Sequence, residues 1–114
     1  MYAALFEMDS IFGPMQFIFQ GKDATEIMTA FEDVQDLDCL VGMGRAEEDA
    51  AGQLALDKIE EIIIKYQNGC LTVEDLRAFD VRISIGAIKC VCVVESNEAI
   101  SELKAQYPKA MWRK

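Results

Sequence analysis

The stretch Val34–Gly69 decides the predicted fold, and it reads VQDLDCLVGMGRAEEDAAGQLALDKIEEIIIKYQNG. Its second half predicts a long helix, because apolar side chains recur at the i, i+3, i+4, i+7 spacing of one buried helical face. The acidic residues Glu47–Asp49 suit the positive N-terminal end of that helix, and Asn68–Gly69 suits a left-handed cap at its other end. The apolar first half, Leu37–Met43, predicts a strand that leads into the helix.

Two strands are predicted before this stretch, at Tyr2–Met8 and at Met15–Gln20. Along both segments, successive side chains alternate between the two faces of a strand. A short turn-forming sequence separates the segments, so we expect an antiparallel hairpin. A helix is predicted over Asp23–Val34, because Asp23 and Glu26 have the spacing of a capping box.

The segment Val81–Glu95 is rich in β-forming residues but contains Gly86, which predicts either one bulged strand or two strands. Regular alternation along this segment places Cys90 and Cys92 on the same face. Apolar residues occur on both faces, so we expect a central strand that is covered on both sides.

The predicted fold class is α+β, in one domain over residues 1–114. It consists of an antiparallel hairpin plus a third strand, a long helix packed on the sheet, and a returning central strand. Thr72 and Ser96 are predicted to cap two shorter helices. The residues after Pro108 are expected to form a frayed tail with Trp112 placed on the body of the domain.

The net charge of −9 is unevenly distributed along the chain. Residues 1–57 contain twelve acidic and two basic side chains, whereas residues 58–114 contain eight acidic and nine basic ones. An acidic half repels nucleic-acid phosphates and attracts a basic partner, although such charges also serve simply to keep a small protein soluble. The candidate partner-binding residues are Asp36, Asp38, Glu47, Glu48 and Asp49.

Acidic residues also accumulate at the end of the helix predicted over Asp23–Val34, where Glu32 and Asp33 are followed by Asp36 and Asp38. Negative charge is unfavourable at the C-terminal end of a helix. This cluster is either a solvated surface or a patch for a basic partner.

Residue patterns for catalysis or for a bound metal are weak in this chain. It contains no histidine, the usual base that activates a nucleophile. Cys90-x-Cys92 has no second pair of the kind that zinc sites use, so we expect four buried, unreactive thiols, with no metal and no cofactor. One alternative is a degenerate nuclease in which Glu7 and Glu95 meet at the ends of neighbouring strands and bind metal. We predict a non-enzymatic protein.

The predicted location is the cytoplasm. No run of apolar residues approaches the roughly 18 that a membrane span needs. The N-terminus meets a carboxylate at Glu7 without the basic region of a signal peptide.

The order of these segments resembles HicB-type antitoxins. In that family a strand like Tyr2–Glu7 opens the domain, and a segment of the form P-D-L-P-G-C-x-T-x-G-D-T-x-E-E-A leads into a long helix. The residues that fit this pattern are Asp36, Leu37, Cys39, Gly44, Glu48 and Ala50, with Asp49 as an acidic equivalent. Thr72–Leu76 and Ile88–Glu95 fall where the family has a short helix and its last strand.

The resemblance implies a HicB-like, degenerate RNase H-like fold, and a protein that binds and occludes a small basic mRNA-cleaving toxin. Only 19 residues follow Glu95, too few for the DNA-binding module of such antitoxins, so no direct DNA binding is expected. We also expect a homodimer, because Phe17 and Phe19 are predicted on a sheet face that a second copy would cover. The alternative is a phage-type acidic inhibitor that mimics nucleic acid and blocks a nucleic-acid-binding enzyme.

Overall fold

The structure, a computed structural model, describes residues 1–10, 12–46, 50–83 and 86–113. Its strands are β1 (Tyr2–Ser10), β2 (Gly13–Gly21), β3 (Asp80–Ile83), β4 (Gly86–Glu95) and β5 (Met111–Arg113). Its helices are α1 (Ala24–Val34), α2 (Leu37–Ala46), α3 (Ala50–Gln67), α4 (Val73–Arg77) and α5 (Asn97–Gln106). The strands form one mixed sheet in the order β3-β4-β1-β2-β5, and helices pack on it, which confirms the predicted α+β class.

The centre of the sheet is β1, which is antiparallel to both β2 and β4. The predicted hairpin is confirmed, with Tyr2 opposite Gly21 and Ser10 opposite Gly13. The predicted return of β4 beside β1 is also confirmed, and the break at Gly86 separates β4 from the edge strand β3. The tail was expected to be frayed, but Met111–Arg113 pair in parallel with β2 as the other edge strand.

Two separate apolar clusters cover the two faces of the sheet. The larger one lies under α1, α2, α3 and α4, and four aromatic rings at its centre have centroids 5.1 to 5.7 Å apart: Phe6, Phe19, Phe31 and Phe79. The smaller one lies under α5, whose Ile100 and Leu103 pack on the sheet with Ala3, Leu5 and Ile18. Val93 of β4 belongs to the larger cluster and Val94 packs on the smaller one, so the prediction of a strand covered on both sides is confirmed.

The prediction of a third strand at Leu37–Met43 is wrong, because these residues lie in helix α2. Leu37 and Leu40 are buried, and the buried Gly44 follows them at the spacing of one helical face. A Cβ atom on Gly44 would lie only 3.3 Å from Cβ of Leu56, so α2 and α3 approach each other closely at this glycine. The apolar run therefore pairs with a helix and adds no strand to the sheet.

The long helix is confirmed as α3, whose buried face contains Ala55, Ile59 and Ile62. These residues belong to the larger cluster, and α3 packs against α2 and β3. Two shorter helices begin as predicted, since Oγ1 of Thr72 accepts a hydrogen bond from Asp75 N and Oγ of Ser96 accepts one from Ala99 N.

The reason for expecting a dimer is wrong. Phe17 and Phe19 are 5% and 0% exposed, and both rings lie in the larger cluster beneath the helices of the same chain. A second copy is therefore not needed to cover them.

The predicted placement of the two neighbouring thiols is also wrong, because Cys90 and Cys92 belong to opposite faces of β4. Among the described residues, no helix is both long enough and apolar enough to cross a membrane.

Candidate functional site

Four acidic residues lie around the short connection between α1 and α2, and we call Glu32, Asp33, Asp36 and Asp38 the acidic junction. Helix α1 ends at Val34, Gln35 has an extended backbone, and α2 begins at Leu37. Because only two residues separate the helices, the last turn of α1 and the first turn of α2 bring their acidic side chains together. Glu32 interacts electrostatically with each of the other three carboxylates.

Asp36 and Asp38, two of the five predicted site residues, lie at the N-terminal end of α2. The Asp36 side chain accepts a hydrogen bond from the backbone N–H of Asp38 through Oδ1, at 2.8 Å. Negative charge is favourable here, because the first N–H groups of a helix have no partner within the helix and form the positive end of its dipole. Both side chains are exposed, so this capping role leaves their outer surfaces accessible to a partner.

Glu32 and Asp33 lie in the last turn of α1, where the helix dipole opposes negative charge. Partial burial raises the pKa of Glu32 above its ordinary value of 4.5, and the charges of Asp36, Asp38 and Asp33 raise it further. A hydrogen bond from the side chain of Tyr66, on α3, acts in the opposite direction. In the described part of the chain, no basic side chain forms an ion pair with any carboxylate of the acidic junction.

The other three predicted site residues, Glu47, Glu48 and Asp49, lie outside the described residues, so their part in the site stays a prediction. Nearby, the guanidinium of Arg45 at the end of α2 lies 4.0 Å from a carboxylate oxygen of Glu60 on α3, and both side chains are exposed. Glu32 and Asp33 were not among the five candidates. The signal that identifies them is their position at the unfavourable end of a helix.

The two carboxylates of the nuclease alternative do not meet. Glu7 is opposite Lys89 on β4, whereas Glu95 is opposite Tyr2, which lies five positions before Glu7 on β1. At about 3.3 Å per residue, the two positions are separated by roughly 17 Å. Glu7 instead accepts a hydrogen bond from Gln16 Nε2, at 3.5 Å.

The four thiols are free, but the prediction that all are buried is wrong for Cys39 and Cys70, which are exposed. Burial raises the pKa of Cys90 to about 12, and it also raises the pKa of Cys92. No group of three or more cysteine, aspartate and glutamate side chains in the described ranges is arranged to hold a metal ion.

Comparisons of this chain with protein-family models, with curated proteins and with solved structures find no match. Function is therefore inferred from the charge and geometry of the chain's own residues.

Proposed function

We propose that this chain is a non-enzymatic, cytoplasmic binding protein whose acidic junction engages a basic protein partner. The observation that carries the proposal is the cluster of four carboxylates around the connection between α1 and α2. None of the described basic side chains forms an ion pair with it. Asp36 and Asp38 have a structural reason for their position, but Glu32 and Asp33 oppose the dipole of their own helix. These charges destabilise the free protein, and a cationic partner would reduce that unfavourable interaction.

Charge complementarity acts mainly on the rate of association and on the choice of partner. The acidic first half of the chain creates a negative potential that accelerates encounters with a basic protein and disfavours nucleic acid. Binding of a cation at the acidic junction would also favour the ionised form of Glu32. Complex formation near the pKa of Glu32 would therefore release protons.

The partner class that the resemblance implies is a small basic mRNA-cleaving toxin, which a HicB-like antitoxin would occlude without contacting DNA. The order of the matching segments and the long helix α3 support this choice. A homodimer of the antitoxin remains part of the proposal, through a surface other than Phe17 and Phe19.

A second candidate is an acidic inhibitor of a nucleic-acid-binding enzyme. One specific observation favours it: residues 37–46, which overlap the segment that carries the resemblance, are helical as α2. An inhibitor that mimics nucleic-acid charge needs only the acidic surface and does not depend on a strand at that position.

The test uses a charge reversal at Asp33, because its side chain is exposed and a lysine there would suit the C-terminal end of α1. The matched control is Glu102→Lys, which makes the same change in net charge on α5, across the sheet. A partner is first captured from the native cell and identified by mass spectrometry. Its association rate constant with each variant is then measured at low and at high salt.

Asp33→Lys is expected to slow association several-fold at low salt and to flatten the salt dependence, whereas Glu102→Lys changes little. Equal effects of the two variants would show that the acidic junction is not part of the interface. If the isolated partner cleaves mRNA and the wild-type chain stops it, the antitoxin role is supported. If the partner is an enzyme whose nucleic acid competes with the chain for binding, the inhibitor role is supported.

A further inference from the structure

An apolar pocket opens beside the acidic junction, at the end of the sheet where the β1–β2 hairpin turns. We call it the methionine pocket, and its apolar lining residues are Met8, Met15, Phe17, Val34 and Ile88. The pocket has a volume of about 190 Å³. Apolar cavities of about 150 Å³ accept a benzene molecule, so this pocket has room for one apolar side chain.

The residues that line the pocket pack in or against the larger cluster. Phe17, Met8 and Ile88 are buried members of the larger cluster, whereas Met15 and Val34 are partly buried and pack against it. Methionine side chains are flexible and polarisable, and they adapt to differently shaped ligands. The pocket therefore has a buried base and two more accessible side chains, of which Met15 can adapt to an occupant.

The rim of the methionine pocket is acidic. Asp9 lines it, and Oδ2 of Asp9 accepts a hydrogen bond of 2.9 Å from the backbone N–H of Ala87, which fixes the carboxylate at the mouth. Val34 and Gln35 also line it, and their chain neighbours on either side are Asp33 and Asp36 of the acidic junction. Among the described residues that line the pocket, none is basic.

We propose that the methionine pocket anchors one apolar side chain from a basic segment of the protein partner, while lysine or arginine residues beside that side chain contact Asp9 and the acidic junction. The inference rests on the proposed function, since it assumes that the acidic junction binds a basic protein. An apolar anchor in a pocket surrounded by a polar rim is the arrangement in which binding energy concentrates at protein interfaces. The negative rim argues against nucleic acid and against another acidic chain as the occupant.

The test uses the full-length chain and two synthetic peptides of equal charge, Lys-Lys-Leu-Lys-Lys and Lys-Lys-Gly-Lys-Lys. Binding is followed by NMR of methionine methyl groups labelled with ¹³C. The leucine peptide should shift the Met8 and Met15 signals saturably and bind about tenfold more tightly than the glycine peptide, because it buries a side chain. The signal of Met28, which is fully buried in the larger cluster, is the internal control.

A variant separates the pocket from the charge. Met15→Gln is expected to abolish the advantage of the leucine peptide and to leave the affinity for the glycine peptide unchanged. Met43→Gln, the same change at a partly buried methionine on α2 that does not line the pocket, should have no effect on either peptide.

The proposal is overturned if both peptides bind equally without shifting the Met8 and Met15 signals, or if neither peptide binds. It is also overturned if those signals shift with protein concentration alone, because the occupant is then a second copy. The proposed function is judged separately by Asp33→Lys. If that variant lowers the affinity for both peptides while the wild-type protein shows no peptide-induced shift of the Met8 and Met15 signals, the acidic junction is a binding site. Only the proposal for the pocket is then wrong.

Discussion

Cys90 and Cys92 lie on opposite faces of the sheet because β4 contains one extra residue, Val91. Cys90 is opposite Phe6, and Cys92 is opposite the adjacent residue Leu5, so the register of the two strands shifts by one position at this step. Cys90 consequently packs against the larger cluster, and Cys92 packs against the smaller cluster beneath α5. A β-bulge of this kind leaves its extra residue unpaired, and Val91 is 43% exposed.

This placement predicts two classes of thiol reactivity. The thiolate is the reactive species, and burial raises the pKa of both Cys90 and Cys92, so neither should be alkylated quickly at pH 8. The exposed Cys39 and Cys70 should react within the same exposure time. Brief treatment with iodoacetamide, followed by peptide mass spectrometry, measures this difference. All four thiols should react at similar rates in concentrated urea, and equal rates in the native protein would contradict the placement of Cys90 and Cys92.

Asp75 is expected to stabilise the connection between α3 and α4. Its carboxylate accepts hydrogen bonds from Lys65 Nζ at 2.8 Å and from the backbone N–H of Thr72 at 2.9 Å. Replacement by alanine removes the ion pair and the side-chain half of the capping box, and should lower the free energy of unfolding by about 1 to 2 kcal/mol. Urea denaturation at pH 7 measures the loss. Glu74→Ala, one position earlier, removes an ion pair with the exposed Arg77 and should cost about 0.5 kcal/mol or less.

The contribution of Asp75 also depends on pH, with a defined sign. The hydrogen bond from Lys65, followed by the one from the backbone N–H of Thr72, lowers the pKa of Asp75 below its ordinary value of 3.8. The stabilisation is therefore present above pH 3.8 and is lost as the pH falls through the lower pKa of the folded state. The difference in the free energy of unfolding between the wild type and Asp75→Ala should become smaller in that acidic range. A difference that stays constant there would show that the carboxylate's charge does not matter.

Glu32 should show the opposite dependence on pH. Because its pKa is raised in the folded protein, its ionised form costs stability at neutral pH, and the cost disappears as the pH falls through the folded pKa to below 4.5. Glu32→Gln should raise the free energy of unfolding at pH 7 by about 0.5 kcal/mol or less, since it lies at a partly exposed site. The gain should vanish below pH 4.5.

A second variant checks the cause of this behaviour. Tyr66→Phe removes the hydroxyl whose hydrogen bond lowers the pKa of Glu32, so the Glu32 pKa should rise further. NMR titration of the Glu32 side-chain carboxyl group in both proteins measures the change. A lower pKa in Tyr66→Phe would contradict the hydrogen bond.

The parts of the fold that the sequence predicts are those determined by local signals. The β1–β2 hairpin depends on alternation and on a short turn, and the first turns of α4 and α5 depend on the hydroxyls of Thr72 and Ser96. The three-residue strand β5 has no such signal, because its identity depends on meeting the edge of β2. The burial of Phe17 and Phe19 was missed for a related reason. Both faces of β2 carry apolar residues, so its pattern does not show which face the larger set of helices covers.

The candidate site divides in the same way. Asp36 and Asp38 could be chosen from the charge pattern alone. Their approach to Glu32 depends on the extended residue Gln35 between the two helices and on the helical state of α2. The apolar run at Leu37–Met43 does not indicate that helix. The spacing of Leu37, Leu40 and Gly44 contains the helical signal, but a short apolar run also favours a strand.

The two glycines of α2 allow a direct test of this helix. In a strand, residues 42 and 44 would share one face, and alanine at either position would meet similar surroundings. In α2, a Cβ atom on Gly42 would have nothing within 4 Å, whereas one on Gly44 would meet Leu56 of α3 at 3.3 Å. Gly42→Ala should therefore stabilise the protein by about 0.5 to 1 kcal/mol, because alanine is the better helix former. Gly44→Ala should gain less or lose stability, because Leu56 must move. Urea denaturation compares the two, and equal changes at both positions would argue for a strand and against α2.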